Sequence, residues 1–188
     1  MIAAILVSGW LIFLAELGDK SQLIALAMAT RYRPAIVLLG ITIATGFNHF
    51  LSVLIGGAVS ALIPLFYINF LAGAAFIIFA FWTIRGDKLD DTEDRKGYSH
   101  PLLTITLTFF LAELGDKTML ATITVSTTYQ PFGVWVGSTF GMVLSDALAL
   151  LVGTLLGRNL PERAVKFGAA AVFLVFGLIY IKQAVFPV

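Results

Sequence analysis

Two copies of one short string carry most of the chemistry in this chain. Glu16-Leu17-Gly18-Asp19-Lys20-Ser21 recurs 97 positions later as Glu113-Leu114-Gly115-Asp116-Lys117-Thr118. Each copy offers two carboxylates, one ammonium and one hydroxyl. Both copies lie inside long apolar runs, and a charge at the centre of a bilayer costs at least about 2.5–3.5 kcal/mol. Six such groups are tolerable only if they pair, line a wet cavity, or do both. On one continuous helix Glu16, Asp19 and Lys20 fall at i, i+3 and i+4 and share a face. Gly18 and Gly115 leave room for close backbone approach or a local break in the helix. An ion pair within each helix would by itself lower the insertion cost. Two symmetric copies at the same depth point instead to one composite site.

The donor set narrows what such a site would hold. Carboxylate and hydroxyl oxygens, joined by carbonyls if the turn unwinds, suit hard divalent cations such as Mg²⁺, Ca²⁺ or Mn²⁺. The chain has no Cys, which excludes thiolate ligands, nucleophilic thiols and disulfides, and its two His are too few for an imidazole-rich site. With all groups ionised the two motifs together carry a net charge of −2, enough to neutralise one divalent cation where excess charge is poorly tolerated. Lys20 and Lys117 would orient the carboxylates and repel a second ion. Protons can replace the metal on the same carboxylates, and competition for one site under alternating access is a minimal antiport mechanism.

Three further polar residues lie deep in apolar runs: Asn48, His49 and Asp146. His49 and Asp146 occupy corresponding positions 97 apart, as do Asn48 and Ser145. A lone intramembrane His is often only a hydrogen-bonded core residue. Opposite an Asp in the repeat, it becomes a candidate proton relay, because imidazole titrates near physiological pH. Asp146 would complete the cation shell or carry the coupled proton.

The elements that must position these residues follow from hydropathy. The chain has 188 residues, 59% of them hydrophobic and 12% charged, with a mean hydropathy of +0.96. A soluble domain carries about 25% charged residues, so this composition argues against a soluble, disordered or nucleic-acid-binding chain. Six apolar stretches, near 2–29, 34–60, 65–85, 101–128, 132–157 and 163–186, are each long enough to cross roughly 30 Å of hydrocarbon at about 20 residues. The first has no basic segment before it and no cleavage-type site after it, so it reads as a retained helix rather than a signal peptide. Pro34, Pro64, Pro131 and Pro161 stand at or just before span starts, where a missing N–H costs nothing. Residues 86–100 are rich in both acidic and basic groups and read as a solvated linker. Arg31, Arg33, Arg85, Lys88, Arg95, Lys96, Arg158, Arg163 and Lys166 fall on one side of such a membrane and Lys182 alone on the other. The positive-inside rule then places the 86–100 loop in the cytoplasm and both termini outside.

The 97-residue offset runs well beyond the motif. It pairs Phe13 with Phe110, Tyr32 with Tyr129, Gly40 with Gly137, Gly56 with Gly153 and Phe76 with Phe173. The expected fold is therefore all-α: a first three-helix repeat over 1–85, the linker 86–100, and a second three-helix repeat over 101–188. Three spans per copy make the second enter the membrane from the opposite side. That is an inverted-topology repeat with a pseudo-two-fold axis in the membrane plane, an arrangement that gives two related states around a midplane site.

Both strings fit the E-x-G-D-[KR]-[ST] signature, and across nearly its whole length the chain resembles the Gdt-type cation/proton antiporter family. That family includes bacterial manganese exporters, cyanobacterial and chloroplast manganese transporters, and Golgi members. The resemblance implies export of Mn²⁺, and in some members Ca²⁺, in exchange for protons. It also implies a metal site built from Glu16, Asp19, Glu113 and Asp116, supported by Gly18, Lys20, Ser21, Gly115, Lys117 and Thr118. No cofactor is implied beyond the transported ion. The expected partners are the lipid bilayer, a divalent cation and protons, with no nucleic acid. The compact length favours a bacterial inner membrane. An exporter of a small organic cation or amino acid is the competing transporter reading, but the charge prepared here is mainly negative. An intramembrane acid/base enzyme would need two carboxylates in unlike environments, and the two motifs are near-identical. A passive channel would conduct without proton coupling. Because the membrane potential is negative on the cytoplasmic side, two or more protons per divalent cation would avoid moving net positive charge outward.

Overall fold

A computed structural model describes residues 1–85, 100–156 and 162–186. The described residues form eight helices: α1 (Ile2–Glu16), α2 (Lys20–Ala29), α3 (Pro34–Leu62), α4 (Leu65–Arg85), α5 (Pro101–Glu113), α6 (Lys117–Ser126), α7 (Pro131–Leu156) and α8 (Glu162–Val185). No strand occurs among them. Most of the linker, together with Arg158 and the side chains of Lys20, Arg163 and Lys166, lies outside the described residues.

Four of the six expected spans are single helices, α3, α4, α7 and α8. The first and fourth are each broken in two, so the placement of Glu16, Asp19 and Lys20 on one face of one helix does not hold. The cause is local. Leu17 adopts φ −60°, ψ 121°, Gly18 has φ 74°, and the Asp19 N–H donates to the Glu16 carbonyl at 3.1 Å. This is the pattern of a type II turn, whose third residue must reach positive φ and is therefore glycine. The second copy repeats it with Leu114 at φ −65°, ψ 113°, Gly115 at φ 79° and the Asp116 N–H on the Glu113 carbonyl at 3.1 Å. Between Ile2–Glu16 and Ser21–Ala29 the chain bends by 72°.

By length and apolar composition Pro34–Leu62 and Pro131–Gly153 can each cross a membrane, and the bent first pair makes a third crossing if it is one broken span. Apolar side chains are exposed as well as forming the core, and a set of polar side chains is buried among them. Leu39, Phe47, Leu54, Phe81, Phe140 and Leu151 are exposed, while Glu16, Thr45, Asn48, His49, Ser52, Glu113, Ser145 and Asp146 are buried. On α3 the buried polar set recurs at helical spacing, at 45, 48, 49 and 52, so one stripe faces inward and the rest faces an apolar surround.

Helices of one copy pack mainly on those of the other: α1 along α7, α3 against α5, α6 and α7, and α4 along α8. Phe76 and its counterpart Phe173 stack with ring centroids 6.0 Å apart, so equivalent residues meet each other. Close approach of α1 to α7 depends on glycine. A Cβ on Gly141 would strike the Gly9 carbonyl, and one on Gly137 would strike Ile5 and Ser8. Ser8 completes the crossing by donating to the Ala4 carbonyl at 2.6 Å and to the Val134 carbonyl at 3.3 Å. Gly141→Val is expected to lower stability by about 1–3 kcal/mol through overpacking. Gly57→Val is the control, since a Cβ there meets nothing within 4 Å. Thermal unfolding in detergent separates the two, and equal midpoints would show that the α1–α7 contact contributes little.

Candidate cation site at two broken helices

Each type II turn puts a Glu at its first corner and an Asp at its last. The Glu ends one helix, where carbonyls converge and cations are favoured. The Asp is the N-cap of the next helix, yet neither Asp19 nor Asp116 uses its side chain to cap. All four carboxylates are buried. Ser21 donates its hydroxyl to Glu16 Oε1, and Thr118 donates to Glu113 Oε2 at 3.0 Å. The hydroxyl of each motif thus orients the glutamate of its own copy and leaves Glu16 Oε2 and Glu113 Oε1 buried without a partner.

The two motifs meet. Lys117 Nζ lies 2.8 Å from Asp19 Oδ1, with both side chains almost fully buried. This ion pair joins the N-terminus of α6 to that of α2, across the two copies. Glu16 lies within electrostatic range of Glu113, Asp19 and Asp146. Glu113 lies within range of Asp116, Asp19 and Asp146. The structure therefore brings Glu16, Asp19, Glu113, Asp116 and Lys117 into one region and adds Asp146, which is 0% exposed and has both carboxylate oxygens without a partner. Among the described residues no three acidic or imidazole groups converge closely enough to chelate a metal ion.

The other polar candidates are placed differently. His49 is buried on α3 and meets Thr139 of α7, with Nδ1 and Oγ1 3.4 Å apart. Asn48 donates from Nδ2 to the Phe110 carbonyl at 3.1 Å, tying α3 to the last turn of α5, and its Oδ1 has no partner. Gln22 escapes a reading based on the motif alone. Its Oε1 accepts from the Gly18 N–H at 2.9 Å, and its Nε2 donates to Ser145 Oγ at 2.9 Å. The signal for it was a buried amide in an apolar run, four residues past the turn glycine, where the second copy has Met119.

A family model described as "Divalent cation/proton antiporter GDT1" matches residues 4–91 and again residues 101–187. A Vibrio cholerae protein named "Putative manganese exporter" is 34% identical over 168 residues, which is 88% of this chain and 84% of that protein. The GDT1-like protein sll0615 of Synechocystis is 29% identical over 191 residues, covering 90% of this chain and 92% of its own. The chloroplastic GDT1-like protein 1 of Oryza sativa subsp. japonica is 30% identical over 206 residues, covering 93% of this chain and 60% of its own. No solved structure matches the chain.

Proposed function

The chain belongs to the GDT1 family of divalent cation/proton antiporters, an integral membrane transporter family, and from that premise we propose that it exports Mn²⁺ from the cytoplasm in exchange for protons, with Ca²⁺ as a second substrate. The observation that carries this reading is the meeting of two acidic turns at one buried region, tied by the Asp19–Lys117 ion pair. Four carboxylates and two lysines leave a net charge of −2, the complement of one divalent cation. Hard oxygen donors and a set of buried carboxylate oxygens without partners favour such an ion over an organic cation. The Vibrio cholerae relative carries manganese in its name, which favours Mn²⁺ over Ca²⁺.

In this reading the six apolar segments are two inverted three-helix repeats, 1–85 and 101–188, joined by a cytoplasmic linker over 86–100 in a bacterial inner membrane. The matching turns and the Phe76–Phe173 contact support a two-fold relation between the copies. Glu16, Asp19, Glu113 and Asp116 hold the ion by closing on it as it binds, since no three of them stand close enough to chelate it in this conformation. Lys20 and Lys117 balance their charge when it leaves. Ser21 and Thr118 aim the glutamates, and Gly18 and Gly115 permit the turns. Asp146, with neither oxygen engaged, carries a coupled proton, and His49 and Asn48 support it from α3. At least two protons enter per cation.

The test is reconstitution into vesicles with a pH-sensitive dye. With an acid interior imposed, addition of Mn²⁺ to the outside is expected to release internal protons, with Ca²⁺ weaker and Mg²⁺ weakest. Metal uptake without proton movement would make the protein a channel or uniporter. No movement of either would sink the reading and direct attention to organic cations.

A further inference from the structure

The two acidic turns are alike in backbone and unlike in what holds them. At the first, Gln22 accepts from the Gly18 N–H inside the turn and donates both to Ser145 Oγ and, at 3.3 Å, to the Ser145 carbonyl. One amide therefore fastens the turn to α7, next to Asp146. At the second, the corresponding residue is Met119. Its thioether takes the Gly115 N–H at 3.2 Å. Sulfur is a weak acceptor and the side chain has no donor, so nothing equivalent reaches α3. The residue on α3 that corresponds to Ser145 is Asn48. Its donor is engaged by Phe110, ahead of the turn, and its Oδ1 is left buried without a partner.

Packing at the turns and of the helices ahead of them follows the same division, although past the turns α6 packs on α3 more extensively than α2 does on α7. Leu114 is 51% exposed, and Gly115 is exposed with no atom within 4 Å of where a Cβ would stand. Leu17 and Gly18 are half-buried. α1 packs along α7 and also touches α8, whereas among the described residues α5 packs along α3 with no comparable contact to α4.

We propose that Gln22 is a positioning residue that fixes the first acidic turn against α7, and that Met119, a weak acceptor with no donor, leaves the second turn the less firmly held of the two as the site changes access. The ion-binding region thus has a more firmly and a less firmly held half, joined by the Asp19–Lys117 pair, despite near-identical motifs. This rests on the transport reading above for its consequence, but the clamp itself is a property of the backbone and can be measured without any ion.

The experiment compares the reconstituted parent with Gln22→Met and Met119→Gln, by hydrogen exchange and by Mn²⁺-driven proton movement on the same preparations. In the parent, the segment around Gly18 is expected to exchange about tenfold more slowly than that around Gly115, the difference of about one good hydrogen bond. Gln22→Met should erase that protection and raise the KM for Mn²⁺. Met119→Gln should protect the Gly115 segment, since an amide oxygen is a stronger acceptor for the Gly115 N–H than a thioether. It should also lower the maximal rate about tenfold with little change in KM, a split that a merely structural role would not give. Equal exchange of the two segments in the parent would overturn the proposal. So would a Met119→Gln variant that gains protection but keeps the parental rate. A parent that moves neither Mn²⁺ nor protons, yet shows the exchange difference, would sink the antiporter reading and uphold the clamp.

Discussion

Glu16→Gln and Glu113→Gln are each expected to abolish cation-driven proton movement, by at least about a hundredfold, in a protein no less stable than the parent. The loss follows from charge. Affinity for a hard divalent cation depends steeply on how many ionised ligands the site supplies, and each substitution removes one without changing its volume. The stability follows from the same geometry. Glu16 and Glu113 lie within electrostatic range of each other and of Asp19 and Asp146, so a neutral amide relieves repulsion where screening is weak. Gln also keeps an oxygen to accept from Ser21 or Thr118, the contacts that hold each glutamate in place. Dye-reported proton movement in vesicles and thermal unfolding in detergent test both halves together. A Glu16→Gln protein retaining more than about a tenth of parental transport would remove Glu16 from the site. A large fall in its midpoint would mean that the carboxylate is there for stability.

The repeat explains why so much was readable beforehand. An offset of 97 carried the motifs, the span starts and the Gly and Phe pairs, and a helix needs little more than a long apolar run bounded by Pro to be placed. The broken helices were harder. Glycine permits both a continuous helix and a turn, and only a second requirement selects the turn: the Asp19 and Asp116 N–H groups each returning to a Glu carbonyl. The ion pairing was not legible at all. Lys117 and Asp19 are 98 positions apart, and spacing within one motif offers only an intrahelical pair as a partner for each lysine. Gln22 is not legible from the repeat, because a repeat marks what the copies share and is silent where they differ. Those positions, Gln22 against Met119 and His49 against Asp146, are where the two copies offer different chemistry.

The second large effect is expected at the joint between the halves. Lys117→Met leaves Asp19 buried opposite an apolar side chain. Removing one partner of a buried ion pair costs about 3–5 kcal/mol, most of it from the charge left behind. A strong drop in folded yield and unfolding midpoint should follow. The double variant Asp19→Asn with Lys117→Met removes both charges and should recover most of that loss, because well-packed neutral groups can replace a buried pair at little cost. Transport should not recover with it, since a ligand of the proposed site is gone. A double-mutant cycle gives the coupling energy directly, and a value near zero would mean that the 2.8 Å contact contributes little to stability. If recovery of folding were accompanied by recovery of transport, Asp19 would be a partner for Lys117 alone and the cation would rest on Glu16, Glu113 and Asp116. The two readouts therefore separate the load that the pair carries in holding the repeats together from the part that Asp19 takes in binding the ion.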